Sequence, residues 1–152
     1  MLSQKAKYGL RALLALARKH EQAPVLISHL AETEDIPKKF LELILLELKK
    51  NGILHSKKGK GGGYLLGKAP EAIALGQVIR ILDGPLAPLP CVSQTAYRKC
   101  DECEDENTCG IRMVMKEVRD ETARILDGTT LADVLREIDA VSKNGKKSKK
   151  KR

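Results

Sequence analysis

The sequence predicts a mainly α-helical fold broken once by a small β-hairpin wing: a winged helix-turn-helix followed by a long C-terminal helix. Three observations predict it. Apolar residues recur at spacings of three and four through most of the 152 residues, which is the helical period. One stretch instead sets a triple glycine between two short apolar runs, which is a hairpin signal. A short amphipathic helix with lysines at its front end stands just before that hairpin, which is the order of a reading helix and its wing.

The organising stretch runs from Ile36 to Gly67. Pro37 suits a first helical turn, where its fixed φ and missing N–H cost nothing. Phe40, Leu41, Ile44, Leu45 and Leu48 draw an apolar stripe down one helix face. Asn51-Gly52 tolerates the positive φ of a helix end. Ile53-Leu54-His55 starts a strand, Gly61-Gly62-Gly63 turns the chain, and Tyr64-Leu65-Leu66 returns. Lys38 and Lys39 lie in the first helical turn away from the stripe, and Lys57, Lys58 and Lys60 flank the hairpin tip. Such a pair can seat its helix in a DNA major groove while the hairpin reaches a phosphate or the minor groove.

The other elements follow in order. Ser3 to His20 has helical periodicity, with Ser3 placed to cap it. Val25-Leu26-Ile27 fits a short strand or the entry to a second helix, Ser28 to Thr33, and Glu34-Asp35 makes a tight turn. Ala72 to Leu82 reads as a helix stopped by Asp83-Gly84-Pro85. Leu86 to Asn107 has little periodicity, and a loop of that length in a small protein usually has its own reason to be ordered. Cys109 then opens a long helix to about Leu126, with Ile111, Val114, Met115, Val118, Thr122, Ile125 and Leu126 as its stripe. Thr129 or Thr130 caps a last helix, Leu131 to Ile138. A long helix trailing a small domain is expected to bury its stripe against a second subunit, giving a homodimer with two reading helices about one DNA turn apart.

These elements divide the chain into a winged helix-turn-helix domain over 1–84, a cysteine-bearing sensor loop over 85–109, a dimerisation helix and final helix over 110–141, and a basic tail over 142–152. The formal charge of +8 divides with them. Residues 1–90 carry 14 basic and 8 acidic side chains, residues 91–141 carry 7 and 12, and the tail carries 7 and none. The front suits a polyanion, the middle does not, and the tail is a separate basic strip. The tail has no apolar side chain and is expected to be disordered, adding salt-sensitive DNA affinity or only solubility.

Composition excludes other classes. With one Phe, three Tyr and no Trp, the core must be aliphatic. No apolar run approaches a membrane span and the N-terminus lacks a signal-peptide pattern, so a cytoplasmic protein without membrane association is expected. His20, His29 and His55 are scattered without a nucleophile or acid at useful spacing, so no enzyme is expected.

The cysteines are Cys91, Cys100, Cys103 and Cys109. In a reducing compartment four thiols more often bind metal or sense redox than form structural disulfides. Thiolates at these short spacings can converge on one soft metal centre, and the C-x2-C step is common to iron–sulfur and zinc sites. Metal-free thiol redox is the third possibility. The acids Asp101, Glu102, Glu104, Asp105 and Glu106 are expected to be solvated, and they would make a cluster harder to reduce.

The chain resembles the IscR/NsrR-like family of bacterial winged-helix transcription regulators. The resemblance rests on IPKKFLELILLELKKNGIL, the wing SKKGKGGGYLLG, then IALGQVIRILDG, C-G-I-R and TTLADVL, and it spans roughly residues 1–140. It implies a homodimeric repressor or activator bound to a double-stranded DNA operator, with DNA affinity tuned in several members by an iron–sulfur cluster before the long helix. In the IscR type, three cysteines and a histidine three residues after the last hold a [2Fe–2S] cluster. Here that position is Arg112, Cys103 and Cys109 keep the family's gap, Cys91 matches the first ligand more loosely, and Cys100 is extra. Other members use an acidic residue near the start of the first helix, where this chain has Lys5, Lys7 and Tyr8. All-cysteine ligation of a [2Fe–2S] or [4Fe–4S] cluster is therefore the simplest expectation. Glu42 matches a family glutamate able to accept from cytosine N4. Lys39 matches a polar contact position, and Lys58 stands where the wing usually has arginine, which keeps the charge but loses the planar fork. Tyr64 is expected to pack the wing. The implied mechanism is two-state: cluster assembly ties the loop to the long helix, whose tilt sets the separation of the reading heads.

Overall fold

Helix α1 covers Gln4–Arg18, α2 Ile27–Thr33, α3 Lys38–Lys50, α4 Leu75–Asp83, α5 Gly110–Asp127 and α6 Leu131–Lys149; strands β1, Leu54–Lys57, and β2, Gly63–Leu66, make the hairpin. This is a computed structural model, and it describes residues 2–149, with side chains through residue 143.

Local chemistry sets the boundaries. The Ser3 side chain accepts from the Ala6 N–H at 3.0 Å and caps α1. Ser3 also donates its own N–H to Asp83 at 2.8 Å, tying the start of α1 to the end of α4. Pro37 sits one residue earlier than predicted: its ψ of 121° makes it the residue before α3 rather than part of the first turn. Gly52, with φ +72°, ends that helix. Thr130 and Asp133 form a reciprocal capping box at α6, Asp133 N–H donating to Thr130 Oγ1 at 3.2 Å and Thr130 N–H to Asp133 Oδ2 at 2.8 Å.

The core is aliphatic, as the composition requires. Leu13 of α1, Leu41, Ile44, Leu45 and Leu48 of α3, Ile53, Leu54, Ile73 and Val78 are fully buried. Each large side chain of this kind contributes roughly 1.5–3 kcal/mol relative to remaining in water. Phe40 lies at the edge of this core, ring edge against Tyr8 at 5.8 Å.

The hairpin is antiparallel, with Leu54 opposite Leu66 and Lys57 opposite Gly63. Val25 pairs with Tyr64 as an isolated bridge, so the segment before α2 is both a strand-like contact and a helix entry. The two alternatives that the sequence offered for Val25-Leu26-Ile27 are both realised.

Three expectations need correction. The helix predicted from Ala72 begins at Leu75, because Pro70–Ala72 form a single 3-10 turn and Ile73-Ala74 stay extended. That extended pair receives the start of α6: Leu131 N–H donates to the Ile73 carbonyl at 3.0 Å. Leu131 is fully buried in the core of the front domain, so α6 does not belong with α5 as a separate unit. The final helix also passes Ile138 and continues to Lys149, through most of the tail expected to be disordered. Extending an existing helix fixes one residue per hydrogen bond and avoids the nucleation cost, and lysine is a good helix former. Residues 150–152 of that tail lie outside the described residues.

Helix α5 packs on α4 by one side only. Met115, Thr122 and Leu126 are half-buried, while Ile111, Val114, Val118 and Ile125 of the predicted stripe are exposed. None of its 18 residues is buried in the single chain.

Candidate DNA interface and cysteine loop

The packing of α3 decides which side chains it offers outward. Leu41, Ile44, Leu45 and Leu48 face α1, α2 and α4, so Lys38, Lys39 and Glu42 are left exposed. No side chain caps the start of α3, so its first N–H groups add to the positive end made by the two lysines. Lys49 donates to Ser56 Oγ at 2.5 Å, linking the far end of α3 to β1. Lys57, Lys58 and Lys60 are exposed around the tip. Among the described residues, the side chains of these five lysines and of Glu42 have no ion-pair or hydrogen-bond partner. All five lysines are exposed, two at the start of α3 and three on the wing that follows it.

The sequence reading missed two residues there. Leu43 is 64% exposed and Leu46 43% exposed, on the same outward face of α3. The signal was present: seven of the thirteen α3 residues are Leu, Ile or Phe, more than one face can bury.

Tyr64 is half-buried against the core, in agreement with wing packing. Gly63 makes this possible. With φ +147° it passes so close to the α2 entry that an added Cβ would stand 2.4 Å from the Val25 carbonyl oxygen.

The cysteine loop is ordered by a chain of polar contacts. Tyr97 Oη donates to both Glu106 carboxylate oxygens at 2.9 Å. Glu106 faces Arg112 at 3.9 Å, and Arg112 Nε donates to the Cys91 carbonyl at 3.3 Å. One further pair of turns along α5, Arg119 donates to the Val92 carbonyl at 2.8 Å. Two arginines seven residues apart on one helix thus hold two consecutive carbonyls of the loop. Arg112, which replaces the IscR-type histidine, spends its side chain on the loop backbone. Glu106 is half-buried and paired rather than solvated as expected, whereas Asp101, Glu102, Glu104 and Asp105 are exposed.

Cys109 is the residue that precedes α5, and Cys100 and Cys103 flank a turn closed by Cys103 N–H to the Cys100 carbonyl at 3.4 Å. The Cys103 thiol lies between the other two. Its hydrogen bond with Cys109, and then that with Cys100, push it up to about 12. Cys109 is held below the ordinary thiol value, first by the Arg112 backbone N–H at the helix start and then by the Cys103 thiol. Cys91 is buried at 7% exposure in a 3-10 turn, Pro90–Val92. Cys91 and Cys100 both line a cavity of about 270 Å³ with Arg98, Lys99, Asp101 and Glu102. Among the described residues, no three Cys, His, Asp or Glu side chains stand in ready metal-ligating geometry.

The model of one protein family, described as Rrf2, an iron-dependent transcriptional regulator, matches residues 2–137. The chain belongs to the Rrf2 family. An rrf2-like HTH-type transcriptional regulator of Rhodobacter capsulatus is 45% identical over 138 residues, covering 89% of this chain and 92% of that protein. The HTH-type transcriptional regulator CymR of Bacillus subtilis is 33% identical over 133 residues, covering 88% of each. Among solved structures, that of B. subtilis CymR, described as the global cysteine regulator, superposes with a TM-score of 0.73 at 32% identity over 88% of this chain and 95% of CymR. IscR of T. potens superposes with a TM-score of 0.72 at 28% identity over 91% and 88%. As a member of the Rrf2 family, this chain is a DNA-binding transcriptional regulator and not an enzyme. The winged helix-turn-helix predicted from the sequence is the fold of its Rrf2 neighbours. Among the described residues of this Rrf2 protein, no helix is long and apolar enough to cross a membrane.

Proposed function

We propose that this Rrf2 protein is a cytoplasmic homodimer that binds a two-fold DNA operator through α3 and the wing, with affinity set by an iron–sulfur cluster on the cysteine loop. The observation that carries the sensing part is the gathering of Cys100, Cys103 and Cys109 at the start of α5. The donor set fits the group: clustered thiols are what a soft iron–sulfur centre takes. Cys100, Cys103 and Cys109 would hold it, with Cys91 as the fourth ligand. A bound cluster supplies a redox-active, oxidant-labile crosslink between the loop and the helix. The exposed stripe Ile111, Val114, Val118 and Ile125 supports dimerisation through α5, and Lys38, Lys39, Glu42, Lys57, Lys58 and Lys60 are the DNA-facing residues.

A metal-free thiol switch is the second reading, and one observation favours it. Cys103 and Cys109 already touch thiol to thiol, Cys103 raised and Cys109 lowered, which is the pairing a reversible disulfide needs. Anaerobic purification separates the two. A coloured protein with iron and sulfide in equal counts, and operator affinity that changes when they are removed, supports the cluster. A colourless, metal-free protein whose affinity responds to peroxide and dithiothreitol supports the thiol switch. One zinc per chain supports a zinc-containing repressor instead.

A further inference from the structure

The reading helix carries more apolar surface outward than its packing needs. Lys39, Glu42, Leu43 and Leu46 are spaced i, i+3, i+4 and i+7, so they share one face of α3. The opposite face, Leu41, Ile44, Leu45 and Leu48, is fully buried. Leu43, at 64% exposure, is among the most exposed large apolar side chains in the molecule, and Leu46 lies one turn beyond it at 43%. Both stand on the outward face of α3 that Lys39 shares, on the helix that begins with Lys38 and Lys39 and leads into the lysine-bearing wing. That charge selects the occupant: an apolar strip on a helix with two exposed lysines at its front, followed by a wing with three more, suits the major groove of DNA and repels a second copy of the same face. The α5 stripe offers a separate apolar surface without such charges at its centre.

One group in the major groove rewards an apolar side chain, the C5-methyl of thymine. We infer that Leu43, backed by Leu46, reads thymine methyl groups in the operator, beside the cytosine that Glu42 reads. This deepens the proposed function and rests on α3 being the reading helix. Lysines hold the helix in the groove, Glu42 selects a C·G pair by its acceptor, and the leucines select T by shape and apolar contact alone. Leucine makes no hydrogen bond, so its selectivity is for the methyl group rather than for the base pair.

Thymine and uracil differ by that methyl group only. The full-length wild-type protein is first used to select its preferred duplex from a randomised pool. Each thymine of that duplex is then replaced singly by uracil. Wild type is expected to lose about three- to fivefold in affinity at one thymine or more per half-site, the worth of one buried methyl group. Leu43→Ala should lose that penalty while keeping the dependence on salt and on the Glu42-linked cytosine. Leu43→Met, which keeps an apolar tip, should retain it. The inference is overturned if wild type is indifferent to uracil throughout, or if Leu43→Ala still discriminates. It also falls if Leu43→Ala and Leu43→Met both abolish binding with helicity and mass unchanged. Failure of the underlying assignment looks different. There, Lys39→Ala and Glu42→Ala would leave both the selected duplex and the affinity unchanged.

Discussion

Two glycines two residues apart at the wing should differ widely in what they tolerate. Gly61 has φ +73° with nothing within 4 Å of a Cβ, so Gly61→Ala meets only the left-handed backbone, about 1 kcal/mol. Gly63 has φ +147°, and its Cβ would stand 2.4 Å from the Val25 oxygen, 2.5 Å from the Val25 carbonyl carbon and 2.9 Å from the Leu26 nitrogen. These are backbone atoms and cannot rotate aside. Relief requires the wing to leave the α2 entry, which breaks Val25 N–H to Tyr64 O at 2.9 Å and Tyr64 N–H to Val25 O at 2.8 Å. Two backbone bonds at about 1 kcal/mol each, with roughly 1–3 kcal/mol of backbone strain, make Gly63→Ala cost about 3–5 kcal/mol. At about 2–4 °C per kcal/mol for a chain of this size, Gly63→Ala should melt roughly 5–15 °C below Gly61→Ala in calorimetry. Both variants keep every lysine, so DNA affinity lost by Gly63→Ala alone measures wing placement rather than charge. Melting temperatures within about 2 °C of each other would refute the role given to the Val25–Tyr64 pairing.

Removing any one of Lys38, Lys39, Lys57, Lys58 or Lys60 that meets a phosphate should reduce the slope of log affinity against log salt by about 0.9, while Glu42→Ala leaves the slope unchanged and broadens base preference. Val114→Glu, placing a charge on the exposed face of α5, should halve the mass seen by light scattering and weaken operator binding about a hundredfold through lost bivalency; a wild-type mass of one chain would contradict this. Arg119→Ala should make loop 85–109 more sensitive to limited proteolysis and lower stability by about 1–3 kcal/mol, since the Val92 carbonyl loses its donor. Asp127 accepts a forked bond from Arg80 at 2.6 and 2.8 Å, and that bond holds its carboxyl below the usual range. Because the folded value is depressed, the stabilisation is present above the unfolded value near pH 4 and is lost as pH falls through the folded one. Asp127→Asn should therefore cost about 0.5–1 kcal/mol at pH 7, reduced by solvent at a half-exposed pair, and little at pH 2 in urea titrations.

Local signals carried most of the fold. The α3 stripe, the Ser3 and Thr130 caps and the glycine tip each rest on residues within a few positions of one another, and each is found where the periodicity placed it. What escaped depends on contacts between distant segments. Ile73-Ala74 has helical spacing but stays extended because the start of α6, nearly sixty residues later, pairs with it. The dual character of Val25–Ile27 likewise needs Tyr64. At the interface the lysines were legible from sign and position, whereas Leu43 and Leu46 were hidden in a run of leucines until packing showed which ones face out. The cysteine loop was legible in chemistry and not in geometry. Its spacing brings three thiols together, but the arginines that grip its backbone lie 21 and 27 residues further on.

Those arginines bear on how a change at the loop could reach the reading helix. Helix α3 packs on α1, α2, α4 and β1, so the loop's hold is on α5 and not on α3. At its first half α5 is held by Arg112 and Arg119 to the loop, and at its end by Asp127 to Arg80 of α4. Gly76 meets Asp127 so closely that a Cβ there would stand 2.0 Å from Oδ1, which fixes the α4 end of the joint. In the proposed mechanism, releasing the loop would free the N-terminal half of α5 while Asp127 stays paired with Arg80, and the helix would tilt about Asp127. In the proposed dimer the stripe from Ile111 to Ile125 spans both halves, so a tilt changes the separation of the two α3 helices without altering either one. Coupling of this form acts on half-site spacing. Operators lengthened or shortened by one base pair should then shift the ratio of affinities between the two states of the loop, whereas base substitutions under α3 should lower both affinities equally.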